Sequence, residues 1–350
     1  MRDFSASFDW TNFDVDLHDF LSVHIEQTPG QVTLDMEKYI DAMAAEFFPA
    51  GVHHHYETPA DTDLAAIVYA AGLKKDTSFA GTDIGKQFRR LTMQLLYLGR
   101  QVRPDIALAV GLLTRVQAWP SPDLLKRAER VLIYAIGTKH LKLTYTKTDK
   151  TATFEWAPRV TTLDGNSDST FDLAHSTTGW LFRLANAAFD WGSTKQESVA
   201  LTSQHAEIVA GSVAACAAIG HRGILDDTGY PQLKPTVLYM DNTSAIDLAF
   251  DPVMPSKTKH IARRDLFIRE LVERKVIDPK FIPTAKNTAD ALTKPLARGP
   301  FQTHRNKLMG SRSTENSAPE TLCAICSAFC SLLEHGGDDT ADLRHSPKLG

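Results

Sequence analysis

The second half of the chain predicts an α/β fold in which a mixed sheet is flanked by helices. Strand-like runs alternate with helical spacings in the order βββ-α-β-α-α-β-α, and one strand leads directly into a helix through a carboxylate. That strand, at 236–240, is rich in β-branched and aromatic side chains, and Asp241 ends it. Asn242 then supplies the cap chemistry that begins a helix. The expected strands lie at 159–164, 177–184, 187–191, 236–240 and 281–282, and the expected helices lie at 203–225, up to 250, at 257–275 and at 288–292.

The first 150 residues predict a mainly helical region that starts with a β-hairpin. Strand-like runs at 20–25 and 31–34 flank a Pro-Gly turn, and a helix with apolar side chains on one side follows at 36–48. Residues 58–83 are expected to be irregular. Downstream elements are expected at 88–98, 105–116, 121–137 and 141–145. We therefore assign residues 1–150 to this region, 151–310 to the α/β domain and 311–350 to a disordered tail.

The composition excludes several classes of protein. With 43% apolar and 23% charged residues over 350 positions, the chain resembles a soluble globular protein long enough for two domains. It has no run of about 18 uncharged apolar residues and no readable signal peptide. We expect an intracellular protein without a membrane span, cytoplasmic rather than secreted, with the nucleus as the alternative. Four cysteines make no disulfide framework, and the net charge of −4 argues against wholesale coating of nucleic acid.

Four carboxylates lie near the ends of expected elements in residues 151–310. Asp164 and Asp241 end strands, whereas Glu207 and Asp290 are expected in the first turns of helices. Such positions can converge at one edge of a sheet, where the negative charges raise one another's pKa values unless cations neutralise them. Carboxylate ligands favour Mg²⁺ or Mn²⁺, and two such ions suit phosphodiester cleavage. For Asp241 alone, a helix cap or turn is the alternative interpretation, and spacing by itself does not establish convergence.

Seven blocks of residues in this domain have a recognisable order and spacing. They are STTGW (176–180), WGSTKQ (191–196), VALTS (199–203) leading into Ala206-Glu207, YMDNTSAI (239–246), TKHI (258–261), FIREL (267–271) and ADALTKPL (289–296). Across residues 155–308 they resemble the ribonuclease H domain of copia-type LTR retrotransposon Pol polyproteins. Upstream, shorter blocks resemble the end of the reverse transcriptase and its connection to ribonuclease H. These are EKYI (37–40), TP (58–59), LLYL (95–98), RPDI (103–106) and GTK (137–139).

The resemblance implies a ribonuclease H-like fold and a metal-dependent endonuclease. Members of that family cut the RNA strand of an RNA–DNA hybrid with two Mg²⁺ ions, and Mn²⁺ is the alternative cofactor. Carried over residue by residue, the catalytic and metal-binding acids fall on Asp164, Glu207, Asp241 and Asp290, with Asp164 and Asp241 shared between the ions. The polymerase aspartate pair is absent, so the chain is expected to be the C-terminal part of a polyprotein. The expected partners are an RNA–DNA hybrid and the missing reverse transcriptase portion.

The chain departs from the family pattern beside these acids. Asn166 and Ser167 stand where the family has Asp and Trp, Gln204-His205 replaces Thr-Glu, and Leu266 replaces a His. The alternative is therefore a catalytically inactive retroelement relic that binds nucleic acid or a partner chain. A DNA-cutting, integrase-like nuclease fits the motifs less well, and its preference for duplex DNA would distinguish it.

Residues 255–286 form a basic stretch, with nine Lys or Arg against four Asp or Glu. We expect Lys257, Lys259, Arg263 and Arg264 to contact nucleic-acid phosphates. Salt pairs at helical spacing, which are ordinary on a solvated helix, are the alternative interpretation.

The tail contains a possible metal-ligand set of Cys323, Cys326, Cys330 and His335. Its spacing matches no zinc knuckle, and the cysteines suit one face of a helix of small apolar residues instead. We therefore expect no zinc site in the tail.

Overall fold

The structure, a computed structural model, describes residues 18–28, 31–146, 162–171, 176–197, 199–251 and 267–310. Its strands are β1 (Asp19–Phe20), β2 (Val23–Thr28), β3 (Gln31–Asp35), β4 (Leu143–Thr146), β5 (Asp164–Thr170), β6 (Thr177–Leu184), β7 (Ala187–Lys195), β8 (Thr236–Met240) and β9 (Ile277–Phe281). Its α-helices are α1 (Glu37–Phe47), α2 (Leu64–Lys74), α3 (Asp83–Gln101), α4 (Ala107–Thr114), α5 (Pro122–Gly137), α6 (Ser203–Asp227), α7 (Thr243–Phe250), α8 (Phe267–Glu273) and α9 (Arg298–Leu308). Short 3-10 helices lie at Pro104–Ile106, Thr284–Lys286 and Thr288–Leu292.

Several predictions fall outside these described residues. They concern the four basic residues Lys257, Lys259, Arg263 and Arg264, the helix before residue 267, and the cysteines and histidine of the tail. They remain predictions.

The N-terminal region combines an antiparallel sheet in the order β1-β2-β3-β4 with helices α1 to α5. The predicted hairpin is confirmed, because β2 pairs with β3 from His24–Asp35 to Thr28–Gln31. The cap predicted for α5 is also confirmed, since Ser121 Oγ accepts a hydrogen bond from the Leu124 amide at 3.2 Å. As predicted, apolar side chains at helical spacing on α3 belong to the core of the N-terminal region. They are Phe88, Leu91, Leu95 and Leu98.

The prediction of irregular chain over 58–83 is wrong, because α2 lies within it. The sequence of α2 is apolar almost throughout, so it shows little contrast between a buried and a solvated face. Leu64 and Val68, four residues apart, are the side chains that it buries. The sequence therefore contains no amphipathic pattern from which α2 could be predicted, and the packing of Leu64 and Val68 against the rest of the protein identifies its buried side.

A buried ion pair lies at the break between α3 and α4. Arg103 Nε and Nη2 donate to the two oxygens of Asp105 at 2.9 and 2.8 Å. The Tyr134 hydroxyl donates to Asp105 Oδ2 at 2.7 Å, and Arg103 Nη2 also donates to Thr138 Oγ1 at 2.7 Å. This buried, bidentate pair links the break to the end of α5, and further hydrogen bonds to Tyr134 and Thr138 help to offset the cost of burying two charges.

The second sheet is mixed, in the order β7-β6-β5-β8-β9. Strands β5, β6 and β7 are antiparallel neighbours, whereas β5–β8 and β8–β9 are parallel. Helix α6 packs on it closely, because a Cβ at Gly211 would lie 2.9 Å from Met240 Cε. The predicted α/β class with a mixed, helix-flanked sheet is therefore confirmed. The first strand of this sheet was predicted to end at Asp164, but β5 begins there and continues to Thr170.

The end of the described chain returns to the N-terminal region. Phe301 of α9 is buried in the core of α1 to α5, with its ring 5.9 Å from that of Tyr134. The Thr144 amide donates to Met309 O at 2.9 Å, and Trp191 Nε1 donates to Gly99 O at 2.8 Å. The two sheets are therefore joined by hydrogen bonds and core packing, which involve β4, β7 and α9.

Among the described residues, α6 alone is long and apolar enough to meet the length and composition expected of a membrane-crossing helix. Half of its most apolar window is buried inside the protein, a property that core helices share. Its packing against β5, β6 and β8 accounts for its apolar composition.

Candidate active site

Three carboxylates from three different elements meet at one end of the second sheet. Asp168 belongs to β5, Glu207 to α6, and Asp241 directly follows β8. One oxygen of each lies within 4.8 Å of one oxygen of both others. Asp168 and Glu207 are only 2% and 6% exposed, whereas Asp241 is half-buried. We refer to Asp168, Glu207 and Asp241 as the acidic triad.

The parallel pairing of β5 with β8 decides which residue of β5 joins the triad. Asp164 is level with Val237, and Asn166 is level with Tyr239. Continuing this register by two residues sets Asp168 level with Asp241, on the same face as Asp164 and Asn166. Asp168 and Asp241 therefore lie toward the carboxyl ends of the parallel strands β5 and β8, where open α/β sheets place their sites.

Asp164, which the sequence assigned to the metal site, lies outside the triad. It begins β5, four residues or about 13 Å of strand from Asp168. Its carboxylate instead accepts hydrogen bonds from Arg183 Nε, at 3.2 Å, and Nη2. The structure brings Asp168, and not Asp164, beside Glu207 and Asp241, because the predicted strand was displaced toward the N-terminus. The alternation of Asp164, Asn166 and Asp168 in the sequence shows that both aspartates lie on one face of the strand. Only the pairing of β5 with β8 shows that Asp168 is the one beside Asp241.

Glu207 reaches the triad from just beyond the first turn of α6. Thr202 caps this helix by accepting a hydrogen bond from the His205 amide at 3.0 Å, so Glu207 is the fifth helical residue. Its Oε1 accepts hydrogen bonds from the Ser169 amide at 3.2 Å and from Ser169 Oγ at 2.9 Å. Its Oε2 is buried without a hydrogen-bond partner. A buried carboxylate oxygen of this kind suits a ligand that is not part of the chain.

Threonines hold the other two members of the triad. Thr293 Oγ1 donates to Asp168 Oδ2, and Thr284 Oγ1 donates to Asp241 Oδ2 at 2.7 Å. Both threonines belong to the segment after β9, which also carries Asp290. This segment therefore positions the triad as well as contributing a fourth acid.

Asp290 lies buried beside the triad, and its negative charge raises the pKa of Asp168. Lys294 Nζ lies 2.5 Å from Asp290 Oδ1. Burial would lower the pKa of Lys294, but the hydrogen bond to Asp290 and the charges of Asp168, Asp290 and Asp241 raise it. Of the four acids assigned from the sequence, the structure thus brings Glu207, Asp241 and Asp290 together.

Burial and mutual repulsion raise the pKa values of two of these acids. Burial, followed by the charges of Asp290 and Asp241, raises the pKa of Asp168 to about 7. Burial, followed by the charges of Asp168 and Asp241, raises the pKa of Glu207 to about 8. The hydroxyl hydrogen bonds from Thr293 and Ser169 oppose these shifts without cancelling them. At neutral pH the site therefore favours either bound protons or a bound cation.

Asn166, a departure from the family pattern, has a structural role. Its Nδ2 donates to Asn287 Oδ1 at 3.1 Å, and Asn287 Nδ2 donates to Ser167 O at 2.9 Å. Both asparagines are almost fully buried. These bonds tie β5 to the 3-10 helix Thr288–Leu292 and hence hold Asp290 near Asp168. The sequence showed Asn166 only as a missing acid, because its partner lies 121 residues away.

The donor set of the site fits a hard divalent cation. Among the described residues it consists of carboxylate oxygens, one of them buried without a partner, rather than the sulfur and imidazole ligands typical of zinc. Asp168, Glu207 and Asp241 would hold such an ion, and Asp290 lies near enough to interact with their charges.

Comparison with known proteins relates the chain to mobile elements of plants. It is 29% identical over 288 residues to the retrovirus-related Pol polyprotein from transposon TNT 1-94 of Nicotiana tabacum, a match that covers 79% of this chain. Identities of 27% and 28% relate it to the Pol polyproteins from transposons RE1 and RE2 of Arabidopsis thaliana, each over 84% of this chain. The chain is a homologue of copia-type Pol polyproteins.

This Pol polyprotein homologue spans about a fifth of its relatives, with 20% of the TNT 1-94 polyprotein and 19% of RE1 and RE2 covered. No family model matches the chain. The similarity therefore relates it to one part of a longer retrotransposon polyprotein.

Proposed function

We propose that this chain is the ribonuclease H portion of a retrotransposon Pol polyprotein and hydrolyses the RNA strand of RNA–DNA hybrids. The observation that carries the proposal is the acidic triad, three carboxylates from β5, α6 and the end of β8 within 4.8 Å of one another. The similarity to Pol polyproteins supports it, as does the mixed five-stranded sheet, which is compatible with a ribonuclease H-like fold.

In this proposal the acids have separate tasks. Asp168, Glu207 and Asp241 bind Mg²⁺, and Asp290 completes the site from the 3-10 helix Thr288–Leu292. Ser169, Thr284 and Thr293 orient carboxylate oxygens through the hydrogen bonds described above. Divalent metal ions bound by such carboxylates supply Lewis-acid stabilisation of a phosphodiester and lower the pKa of water. Asp168 and Glu207 are almost fully buried, so their carboxylates are shielded from bulk water.

The test compares substitutions at two aspartates of the triad with one at Asp164. We would incubate the purified chain with a labelled RNA–DNA hybrid and Mg²⁺, and compare Asp168→Asn and Asp241→Asn with Asp164→Asn. We expect the first two to reduce RNA cleavage by at least about 10³-fold, because each removes a charged ligand from the metal site. Asp164→Asn should remain within about tenfold of the unchanged protein, because it alters a salt bridge outside the triad.

Each variant would also be checked for folding by circular dichroism and thermal unfolding. Cleavage that is lost in Asp164→Asn but retained in Asp168→Asn would restore the assignment made from the sequence. Cleavage of duplex DNA instead of the hybrid would indicate an integrase-like nuclease. A folded protein that binds the hybrid but cuts nothing with Mg²⁺ or Mn²⁺ would indicate an inactive relic and overturn the proposal.

A further inference from the structure

The acidic triad and Asp290 have a cation that the protein itself supplies. Lys294 Nζ lies 2.5 Å from Asp290 Oδ1, with 9% of the Asp290 side chain and 42% of the Lys294 side chain exposed. The backbone fixes this pairing, because the Lys294 amide donates to Asp290 O at 3.2 Å. A partly exposed lysine therefore contacts a buried carboxylate.

The other donors that we identify to these acids are uncharged. Within the described part of the chain, Ser169 serves Glu207, Thr293 serves Asp168 and Thr284 serves Asp241. Hydroxyl groups satisfy individual oxygens but leave the negative charge in place. Among the described residues, Lys294 is thus the positive charge that contacts one of the four acids, Asp290, and it also interacts with the charges of Asp168 and Asp241.

We propose that Lys294 is the resident counter-ion of this site, and that a divalent ion using Asp290 as a ligand must displace its ammonium. The inference rests on the proposed function, since both require a divalent ion at the acidic triad. Displacement is feasible because the lysine side chain is 42% exposed and its ammonium can move into water while the backbone stays in place. The lysine then sets how tightly the Asp290 side of the site binds metal.

Two properties of the protein should change together when the charge of Lys294 is removed. Without the ammonium, the described residues of the metal-free protein hold these acids without a contacting cation, and we expect the protein to be less stable. The same change removes a competitor, so divalent ions bind more tightly. A lysine that merely forms a surface ion pair would change neither property appreciably.

The experiment measures both properties in Lys294→Met, which keeps chain length and removes the charge. Mg²⁺ and Ca²⁺ binding would be titrated calorimetrically, and thermal unfolding would be recorded in EDTA. We expect about tenfold tighter binding at the weaker site, or ~1.4 kcal/mol, together with a lower Tm in EDTA. Lys294→Arg should stay close to the unchanged protein in both measurements, because it retains the charge.

The matched control is Lys280→Met, which removes a lysine from a more exposed ion pair with Asp278 on β9. Unchanged metal affinity and unchanged Tm in Lys294→Met, with binding intact in the unaltered protein, would overturn the inference alone. Equal changes in Lys280→Met would also overturn it. If neither the unaltered protein nor Lys294→Met binds a divalent ion, both the inference and the proposed function fail. Binding only after the substitution would support displacement in its strongest form.

Discussion

At the scale of single residues, the charge states of Asp168 and Glu207 connect the site to the stability of the whole protein. Their folded-state pKa values, about 7 and about 8, lie above the ordinary values near 4 of unfolded acids. The folded protein therefore binds more protons than the unfolded chain between about pH 4 and pH 8. Stability that depends on these groups is present at low pH and falls as the pH rises through that window.

We predict that the metal-free protein becomes less stable between pH 5 and pH 8, with Tm falling by roughly 5 °C. Magnesium should oppose this fall, and its stabilising effect should grow with pH, because the ion binds the deprotonated acids. Thermal unfolding in EDTA and in Mg²⁺ at each pH would measure both effects.

Glu207→Gln is the control for this prediction, because the amide cannot titrate. Its stability in EDTA should depend less on pH than that of the unchanged protein. A metal-free protein whose Tm rises from pH 5 to pH 8 would contradict the raised pKa values.

At the scale of elements, the 3-10 helix Thr288–Leu292 has to lie close to β6 for Asp290 and Thr293 to reach Asp168. Gly179 permits this approach. A Cβ at that position would lie 2.6 Å from Thr293 Cγ2 and 3.0 Å from Ala289 O. A backbone oxygen cannot move aside independently, so any side chain at residue 179 shifts the whole segment.

We predict that Gly179→Ala destabilises the protein by about 2 kcal/mol through overpacking. It should also weaken Mg²⁺ binding, since Asp290 and Thr293 move with the segment. Chemical denaturation and calorimetric titration of Mg²⁺ would measure the two effects.

Gly220→Ala provides the matched substitution. Gly220 lies in α6, and a Cβ built there meets no atom within 4 Å. We expect this variant to be more stable by about 0.5–1 kcal/mol, because alanine favours the helix. Equal effects of the two substitutions would show that the close approach at Gly179 is unimportant.

At the scale of the whole molecule, the two sheets depend on one another. The N-terminal core receives Phe301 from α9, although that helix follows the segment with Asp290 in the chain. Bonds such as Trp191 Nε1 to Gly99 O reinforce this connection. The sequence placed a boundary at residue 150, and the described contacts cross between its two sides.

We predict that Phe301→Ala destabilises the N-terminal region by about 3–5 kcal/mol, because it leaves a cavity beside Tyr134. Amide hydrogen exchange should become faster in α5, although Gly137, at the end of α5, and Arg298, at the start of α9, are more than 160 positions apart in the chain. Phe250→Ala is the control, since Phe250 is exposed at the end of α7 and should leave α5 unaffected. Unchanged exchange in α5 of the Phe301 variant would show that the regions are independent.

Local signals were strong enough for the sequence to predict much of the architecture. Strand β8, the caps of α5 and α7 and the apolar spacing of α3 depend on residues within a few positions of one another. Glu207, Asp241 and Asp290 were assigned to one site from the family resemblance together with their places near element ends, and the structure places these three acids near one another. It missed α2, whose apolar composition lacks a helical contrast between faces.

The sequence predicted the α/β class and most elements, and, through the resemblance, three of the four acids that lie together. Tertiary structure decided the fourth. Asp164 and Asp168 both lie on the same face of β5, and a strand displaced along its neighbour exchanges one for the other without altering the local pattern. The partners of Asn166, Phe301 and Gly179 were equally inaccessible, because each lies far away in the chain. The strand register and the contacts between residues far apart in the chain therefore determine which side chains meet at the site. Local periodicity contains no information about either.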